Sequence, residues 1–583
     1  MNYEWRYNPP SDAELRLASE MATELKISPV LARVLIGRGI LGVTDARKFF
    51  RPQLTDLHDP FLFQDMQKAV NRLNEALGRK ERILVYGDYD VDGCTAVALV
   101  YRFLQQFYGN IDYYIPDRNE DGYGVSRKGV DYACETGVGL VIVLDCGIKA
   151  SEEIAYAREK GIDFIICDHH VPDAELPPAV AILNAKRADN TYPYEHLCGC
   201  GVGFKLMQAF AMSNGIAFSQ LIPLLDLCAI SIAADIVPIM GENRILAYHG
   251  LRQLNSQPSV GVKALMEVCG LTHKEISLGD IIFKIGPRIN ASGRMQTGGE
   301  AVALLIEKDW AKAKEMAEQI NEYNEQRKDL DKAMTEEANR IVMTLEHRHE
   351  HKSIVLFNEE WHRGIIGIVA SRLTEVFYKP SVVLTCTDDG MATGSARSVP
   401  GFDVYKAIES CADLLVNFGG HTYAAGLTLP VHNIPEFRHR FELFVREHIL
   451  PEQVNAVLCI DAEIDFSDIS RKLASDIKRF APYGPDNQKP LFCTHQVYDY
   501  GTSRVVGRDQ EHIRLELVDS KSNSVMNGIA FGQSSQARYI KTKRAFDIVY
   551  HVEENSHKRG EVQLQIEDIR PREQAAEGEP EAL

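Results

Sequence analysis

The sequence predicts a multidomain α/β protein in which a doubly wound parallel sheet comes first and a small β-barrel comes last. Three observations predict it. Between residues 61 and 308, short β-branched apolar runs alternate with helical stretches, the pattern of a parallel sheet covered on both faces. From Asp309 to His347 the chain holds neither Gly nor Pro and spaces its apolar residues three and four apart, which predicts one long helix. Beyond Pro451, brief alternating runs are separated by Gly, Asp and Asn, the signature of antiparallel strands in a barrel. A chain of 583 residues is also too long for a single core.

Taken in order, residues 1–60 mix short helical pieces such as SPVLARVLIGRG with a Pro-rich join and are expected to cap the first core. In 61–308 the runs LVY, DYYIP, VIVLD and FIIC predict strands, while CTAVALVYRFLQQF, the stretch from Ser151 and PLLDLCAISIAADIV predict helices. Residues 309–348 form the long helix, which at about 1.5 Å per residue would reach roughly 55 Å. That is more than a core layer requires, so a strut between two domains is expected, with two bundle helices as the alternative. In 349–450, SIVLF and SVVLT predict strands and GIIGIVASRLTEVF a helix, with GSARSV and a loop FGGHTYAAG following. Gly419 and Gly420 permit close backbone approach there, which would let His421 face whatever lies opposite. In 451–570 the runs HIRLELV, SVMNGIAF, FDIVYHVE and EVQLQIEDI suit an OB-fold. Tyr498, Tyr500, Phe531 and Tyr539 are candidate stacking platforms beside Arg504, Arg508 and Lys541, with barrel core as the other reading of these rings. The tail, 571–583, is expected to be disordered.

Composition narrows the function. With 45% hydrophobic and 25% charged residues the chain reads as an ordinary soluble protein. It has no apolar run long enough for a membrane span, and MNYEWRYNPPSDAEL lacks a basic segment followed by an apolar one, so the cytoplasm is the expected location. Twelve scattered cysteines suit reduced thiols better than a disulfide framework. A net charge of −18 excludes a global attraction to phosphate, so any nucleic-acid path must be a local basic groove. Residues 470–550 hold 13 basic against 8 acidic side chains and are the candidate.

Four segments carry the chemistry: ILVYGDYDVDG (83–93), VIVLDCG (141–147), IICDHH (165–170) and AADIVP (233–238). They bring Asp90, Asp92, Asp145, His169, His170 and Asp235 to the ends of apolar runs. In an open parallel sheet such ends meet at the carboxyl edge, where ligands bind. Carboxylates suit hard divalent cations, and an imidazole among them shifts the preference from Mg²⁺ towards Mn²⁺. This is the inventory of a two-metal hydrolytic site. A zinc site from Cys167, Cys198 and Cys200 is the rival. It fares worse because strand alternation turns Cys167 away from Asp168 and the CxC spacing matches no common zinc knuckle.

The GDYDVDG, LDCG, DHH and ADIVP segments, with GPRINASGRM (286–295), GSARSV (394–399) and FGGHTYAAG (418–426), resemble the motifs of the DHH phosphoesterase superfamily. The whole chain is similar to that superfamily's single-strand-specific 5′→3′ DNA exonucleases. The resemblance implies a DHH catalytic domain, a DHH-associated domain and an OB-fold, acting on single-stranded DNA in repair and recombination. It implies that Asp90, Asp92, Asp145, His169 and Asp235 hold two divalent ions, Mn²⁺ by preference or Mg²⁺, with Asp145 bridging them. His170 is a further ligand, a phosphate contact or a support behind the ligands. Arg118, Arg294, Ser395 and Arg397 would grip a 5′-terminal phosphate, with Arg288 as a substitute, and His421 would bind substrate across a cleft. A single-strand-binding protein and a helicase are the implied partners of a monomer. Two other functions stay in view: a small-substrate phosphodiesterase acting on short oligonucleotides or cyclic dinucleotides, and a non-catalytic DNA-binding scaffold. The chain departs from some relatives at Tyr86, where they carry a His. Tyrosine is a poor ligand at neutral pH, so fewer protein groups and more water around one ion are expected.

Overall fold

The computed structural model describes residues 3–118, 121–122, 124–344, 350–387, 390–555 and 560–572. These fall into two compact units: residues 56–237 with 241–456, and residues 3–55 with 238–240 and the chain from 457 onward.

The first unit opens with five parallel strands, β1 (Arg82–Gly87), β2 (Ile111–Tyr114), β3 (Val138–Leu144), β4 (Asp163–Cys167) and β5 (Ala181–Leu183), in the order β2-β1-β3-β4-β5. Their centres are buried on both faces, which is why the runs read as continuous Val, Ile and Leu. After β1 the chain adds β2 on one side and then β3 on the other. The topology therefore switches between β1 and β3, and their carboxyl ends flank the crevice where such sheets bind ligands. Only β5 escaped the sequence reading, being three residues long.

One uninterrupted helix, Trp310–Thr344, follows and excludes a pair of bundle helices over this span; residues 345–349, where its expected end falls, lie outside the described residues. It buries Ala313, Ala317 and Ile320 early and Met334, Ala338 and Val342 late, the latter against Ile354, Val369 and Leu373. The second sheet holds β6 (Ile354–Phe357), β7 (Ser381–Cys386), β8 (Met391–Arg397), β9 (Asn417–His421) and β10 (Ala424–Pro430) in the order β9-β10-β8-β7-β6. FGGH is thus a strand rather than a loop: β9 and β10 pair antiparallel with His421 opposite Ala424.

In the second unit, β11 (Phe492–Asp499), β12 (His512–Asp519), β13 (Val525–Ala530), β14 (Phe546–Glu554) and β15 (Val562–Pro571) pair in the cycle β11-β14-β15-β13-β12-β11, a closed five-stranded barrel. β11 was hidden in the sequence by its irregular register, which shifts between Thr494 and Val497. Residues 3–55, expected as a cap on the first core, belong instead to the unit of the barrel. Leu31, Leu35, Phe49 and Phe50 bury themselves in one cluster with Phe480, Phe492 and Phe546, so the apolar faces of these short helices are satisfied by the barrel. Of the expected disordered tail, residues 573–583 lie outside the described residues.

Candidate metal centre and phosphate pocket

The acids of the expected centre lie just after strands of the first sheet or at the ends of helices that pack on it. Asp90 caps the helix Val91–Leu104, its Oδ1 accepting from Gly93 N at 3.1 Å. Asp92, inside the first turn of that helix, accepts from Cys200 N at 2.7 Å and Ser231 Oγ at 2.6 Å through Oδ1 and from Gly199 N at 2.6 Å through Oδ2. Its carboxylate is thereby pinned to the N-terminus of the helix Gly199–Ser213. Asp145, the residue after β3, has φ of 60°, a left-handed conformation that Asp tolerates better than branched residues. Gly199 permits this packing, since a Cβ there would lie 2.5 Å from that of Asp145. Asp235 caps the C-terminal end of the helix Leu225–Ala234.

These groups converge. His169 Nε2 lies 3.1 Å from Asp145 Oδ1, 3.7 Å from Asp235 Oδ2 and 3.8 Å from Asp92 Oδ2. Asp88, Asp90 and Asp145 bring one oxygen each within 4.8 Å of one another; so do the donors of Asp92, His169 and Asp235, and those of Asp145, His169 and His170. Asp88 was missed by sequence reading, which took only the last two acids of GDYDVDG. The signal was present as a third carboxylate at the same alternate spacing. No cysteine belongs to any of these groups among the described residues, so the zinc reading is not supported. Cys198 instead accepts from Gly201 N, and Cys167 is buried.

The electrostatics call for cations. Burial, reinforced by the neighbouring carboxylates, pushes Asp88, Asp145 and Asp235 well above the usual carboxylate range and raises Asp90. Burial also brings His169 down to about 4, which leaves a neutral imidazole able to offer a lone pair. Asp88 Oδ1, Asp145 Oδ1, Asp235 Oδ2 and His169 Nε2 are buried with no hydrogen-bond partner. Buried polar atoms are rarely left so, and this donor set fits divalent cations that prefer oxygen with some nitrogen.

His170 is placed differently. Its Nδ1 meets Asp168 Oδ1 at 2.7 Å, the same oxygen that accepts from the His169 and His170 amides. Burial alone would raise Asp168, but the His170 contact and the two imidazole charges outweigh it and hold this acid at about 2. Asp168, absent from the expected site, thus orients the whole DHH turn. Tyr86 is not a substitute ligand: its ring is buried, and its hydroxyl donates to Gly124 O at 2.9 Å and accepts from Ser126 N at 3.3 Å.

A second cluster is cationic. The Arg118 guanidinium lies 4.9 Å from the centroid of the Tyr89 ring, between the first two acids of the motif. Arg294, near the C-terminal end of the helix Gly286–Met295, donates to Gly364 O at 2.8 Å. Arg397 donates to Ser395 Oγ at 2.9 Å and Ala396 O at 2.8 Å, and the start of the helix Ile366–Phe377 abuts both, a Cβ on Gly367 falling 3.0 Å from Ser395 Oγ and 3.1 Å from Arg397 Nη2. Burial, then the charges of Arg118, Arg397 and Arg327, bring Arg294 down to about 9. Arg288 is no substitute, since it is consumed by Asn321 and by the Lys284 and Val268 carbonyls. His421 comes to lie parallel to His170, ring centroids 5.6 Å apart. In the barrel, Tyr498, Tyr500 and Phe531 are exposed, while Tyr539 donates to Ala545 O and packs against the core, which removes it from the candidate platforms.

Family models match at residues 82–232 (DHH family, N-terminal domain), 350–447 (DHHA1 domain) and 460–568 (RecJ OB domain). The chain is similar to the single-stranded-DNA-specific exonuclease RecJ of Bacillus subtilis, at 33% identity over 97% of this chain and 70% of that one. It is likewise similar to that of Escherichia coli, at 32% identity over 93% and 95%. Its structure matches RecJ from Thermus thermophilus in complex with Mn²⁺ with TM-score 0.83 and 26% identity, covering 98% of this chain and 80% of that one, and a Mg²⁺ complex of the same protein with TM-score 0.77.

Proposed function

Because the chain belongs to the RecJ family of single-stranded-DNA-specific exonucleases, we propose that it removes 5′-mononucleotides from single strands in the 5′→3′ direction, in repair and recombination. The observation that carries the reading is the juxtaposition of orphaned buried carboxylate and imidazole atoms with an arginine pocket in the same unit.

In this reading Asp88, Asp90, Asp92, Asp145, His169 and Asp235 would hold two divalent ions, Mn²⁺ by preference or Mg²⁺, with Asp145 as the carboxylate shared between them; it and His169 each belong to two of the three ligand groups. Such ions would polarise the scissile phosphate and lower the pKa of the attacking water. The rest falls to the chain's own residues. Asp168 and His170 orient His169, while Gly199, Cys200 and Ser231 fix Asp92. Arg118, Arg294, Ser395 and Arg397 hold the 5′-terminal phosphate, and His421 steadies the strand beside His170. Water adds to phosphorus, the bond to the 3′ oxygen of the terminal nucleotide breaks, and that oxygen is protonated. The released nucleotide keeps its own 5′-phosphate, so the arginine pocket sets the polarity.

The barrel offers Tyr498, Tyr500 and Phe531 beside Arg504 and Arg508 as a track for the strand. The enzyme works as a cytoplasmic monomer on strands supplied by a helicase and covered by single-strand-binding protein; among the described residues no helix is long and apolar enough to cross a membrane. Digestion of 5′- and 3′-labelled single strands with Mn²⁺, against duplex controls, tests the reading. Early release of labelled mononucleotide from the 5′ label alone is expected. Release from the 3′ label first, or equal cutting of duplex, would contradict it.

A further inference from the structure

Ser395 and Arg397 share one face of β8, and the first turn of the helix Ile366–Phe377 abuts both. The turn 362–365 leads into that helix and meets the third member of the phosphate pocket. Gly364 O accepts from Arg294 Nη1 at 2.8 Å, and a Cβ on Gly364 would lie 2.9 Å from Arg294 O. Three residues on, a Cβ on Gly367 would lie 3.0 Å from Ser395 Oγ and 3.1 Å from Arg397 Nη2. One short segment therefore touches the arginine of the helix Gly286–Met295 as well as the serine and arginine of β8. The segment is itself fixed from behind. Trp361 is buried, its Nε1 donates to Glu337 Oε2 on the long helix at 2.8 Å, and its carbonyl accepts from Thr385 Oγ1 at 2.6 Å.

Glycine is unfavourable within a helix relative to alanine, so a glycine held there at a close contact has a packing or functional reason. At Gly367 the groups that come close are the polar ends of two side chains, not apolar core atoms. Filling a hydrophobic core therefore does not account for it. The helix brings no acid in its first turn and no capping side chain at Ile365, and neither Arg294 nor Arg397 forms an ion pair among the described residues. Nothing on this segment competes with an incoming anion for the two guanidinium groups.

We propose that Gly367 is a positioning residue that determines specificity for the phosphorylated 5′ end: its bare Cα leaves Ser395 Oγ and Arg397 Nη2 in place to bind the terminal phosphate, while the turn before it holds Arg294 in register with them. This deepens the function proposed above and rests on it, since there the pocket takes the terminal phosphate. A side chain at 367 would push both groups aside by a few tenths of an ångström. Hydrogen bonds to phosphate oxygens depend on distance and angle, and the paired bonds of a guanidinium fork depend on both at once.

The test uses the full chain with Mn²⁺ on single strands that end in a 5′-phosphate or a 5′-hydroxyl. Gly367→Ala should raise KM on phosphorylated strands about 10-fold, the scale of weakening a hydrogen bond to a charged group, and leave kcat and the KM for hydroxyl strands unchanged. Its thermal unfolding midpoint should not fall, because alanine is the better helix former. In a Ser395→Ala background, where the crowded oxygen is gone, the same substitution should have a smaller effect than in the wild type. An unchanged preference for phosphorylated ends, an equal loss on both ends, or a fully additive effect on top of Ser395→Ala would overturn the proposal. Arg397→Ala serves as the control. If that variant keeps the preference for phosphorylated ends, the reading of the pocket itself fails; if it loses the preference while Gly367→Ala keeps it, only this inference fails.

Discussion

Asp145 and Asp92 are held by opposite means. Asp145 sits in a left-handed backbone conformation of the kind that costs about 1–3 kcal/mol and persists only where the surroundings enforce it. Asp92 is relaxed but saturated by three donors, leaving little lone-pair capacity beyond one direction on Oδ2. Residue types explain what was legible here. Acidic clusters closely following β-branched runs announced Asp90 and Asp145, and the same position drew attention to His169 in IICDHH, because few other roles put charge at a buried strand end. Asp88 carried a signal in the alternate spacing it shares with Asp90 and Asp92, directly after the first strand, whereas Asp168 did not, because a residue that orients a ligand leaves no spacing of its own. Arg288 and Arg294 were indistinguishable in GPRINASGRM until their partners were known. For Arg397, charge-assisted hydrogen bonds to a terminal phosphate predict that Arg397→Ala loses about 1.5–3 kcal/mol on 5′-phosphorylated strands and much less on 5′-hydroxyl strands. Rates for two proteins on two end groups check this, and an equal loss on both would assign Arg397 to the internal backbone or the fold.

At the scale of elements, periodicity found the long helix and four strands of the first sheet, where burial on both faces leaves a continuous apolar run. It failed on FGGH, because a strand rich in glycine has no side-chain alternation to read, and on β11, whose irregular register breaks the period. That irregularity brings His495 between Glu463, at 3.0 Å, and Asp547, at 3.1 Å. The hydrogen bond to Asp547, then those to Cys493 and Glu463, outweigh burial and raise His495 from 6.5 to about 11. A raised folded-state pKa stabilises fully below 6.5, and the contribution fades as pH climbs towards about 11. For Asp547 burial alone would act upward, but His495 and Arg572 bring it from 3.8 to about 2, so its contribution is present above 3.8 and fades as pH falls to about 2. The His495→Gln variant should therefore be destabilised more at pH 6 than at pH 9 in denaturant unfolding. An equal penalty at both values would mean that His495 contributes by packing rather than charge.

At the scale of the whole molecule, the sequence revealed the order of the domains but not that the N-terminal segment shares a core with the barrel, since contacts that distant in sequence leave no periodic trace. Phe49 and Phe50 lie edge-on to Phe480, with centroids 5.6 and 5.2 Å away. A chain ending at residue 456 should consequently aggregate, whereas one that also lacks residues 1–55 should stay monodisperse. That trimmed protein should cut short oligonucleotides yet bind long strands more weakly, with a flatter dependence on salt because fewer phosphates are neutralised. Binding isotherms across a salt series check this, and an unchanged slope would take the barrel out of the substrate path. Whether the buried acids and His169 hold the ions that cut the strand is decided by Mn²⁺ titration calorimetry on chelator-stripped protein, with cleavage assayed on the same samples. Two ions per chain are predicted for the wild type, and weakened binding of both with abolished cleavage for Asp145→Ala. An Asp145→Ala protein that binds Mn²⁺ as the wild type does and still degrades single strands would contradict it.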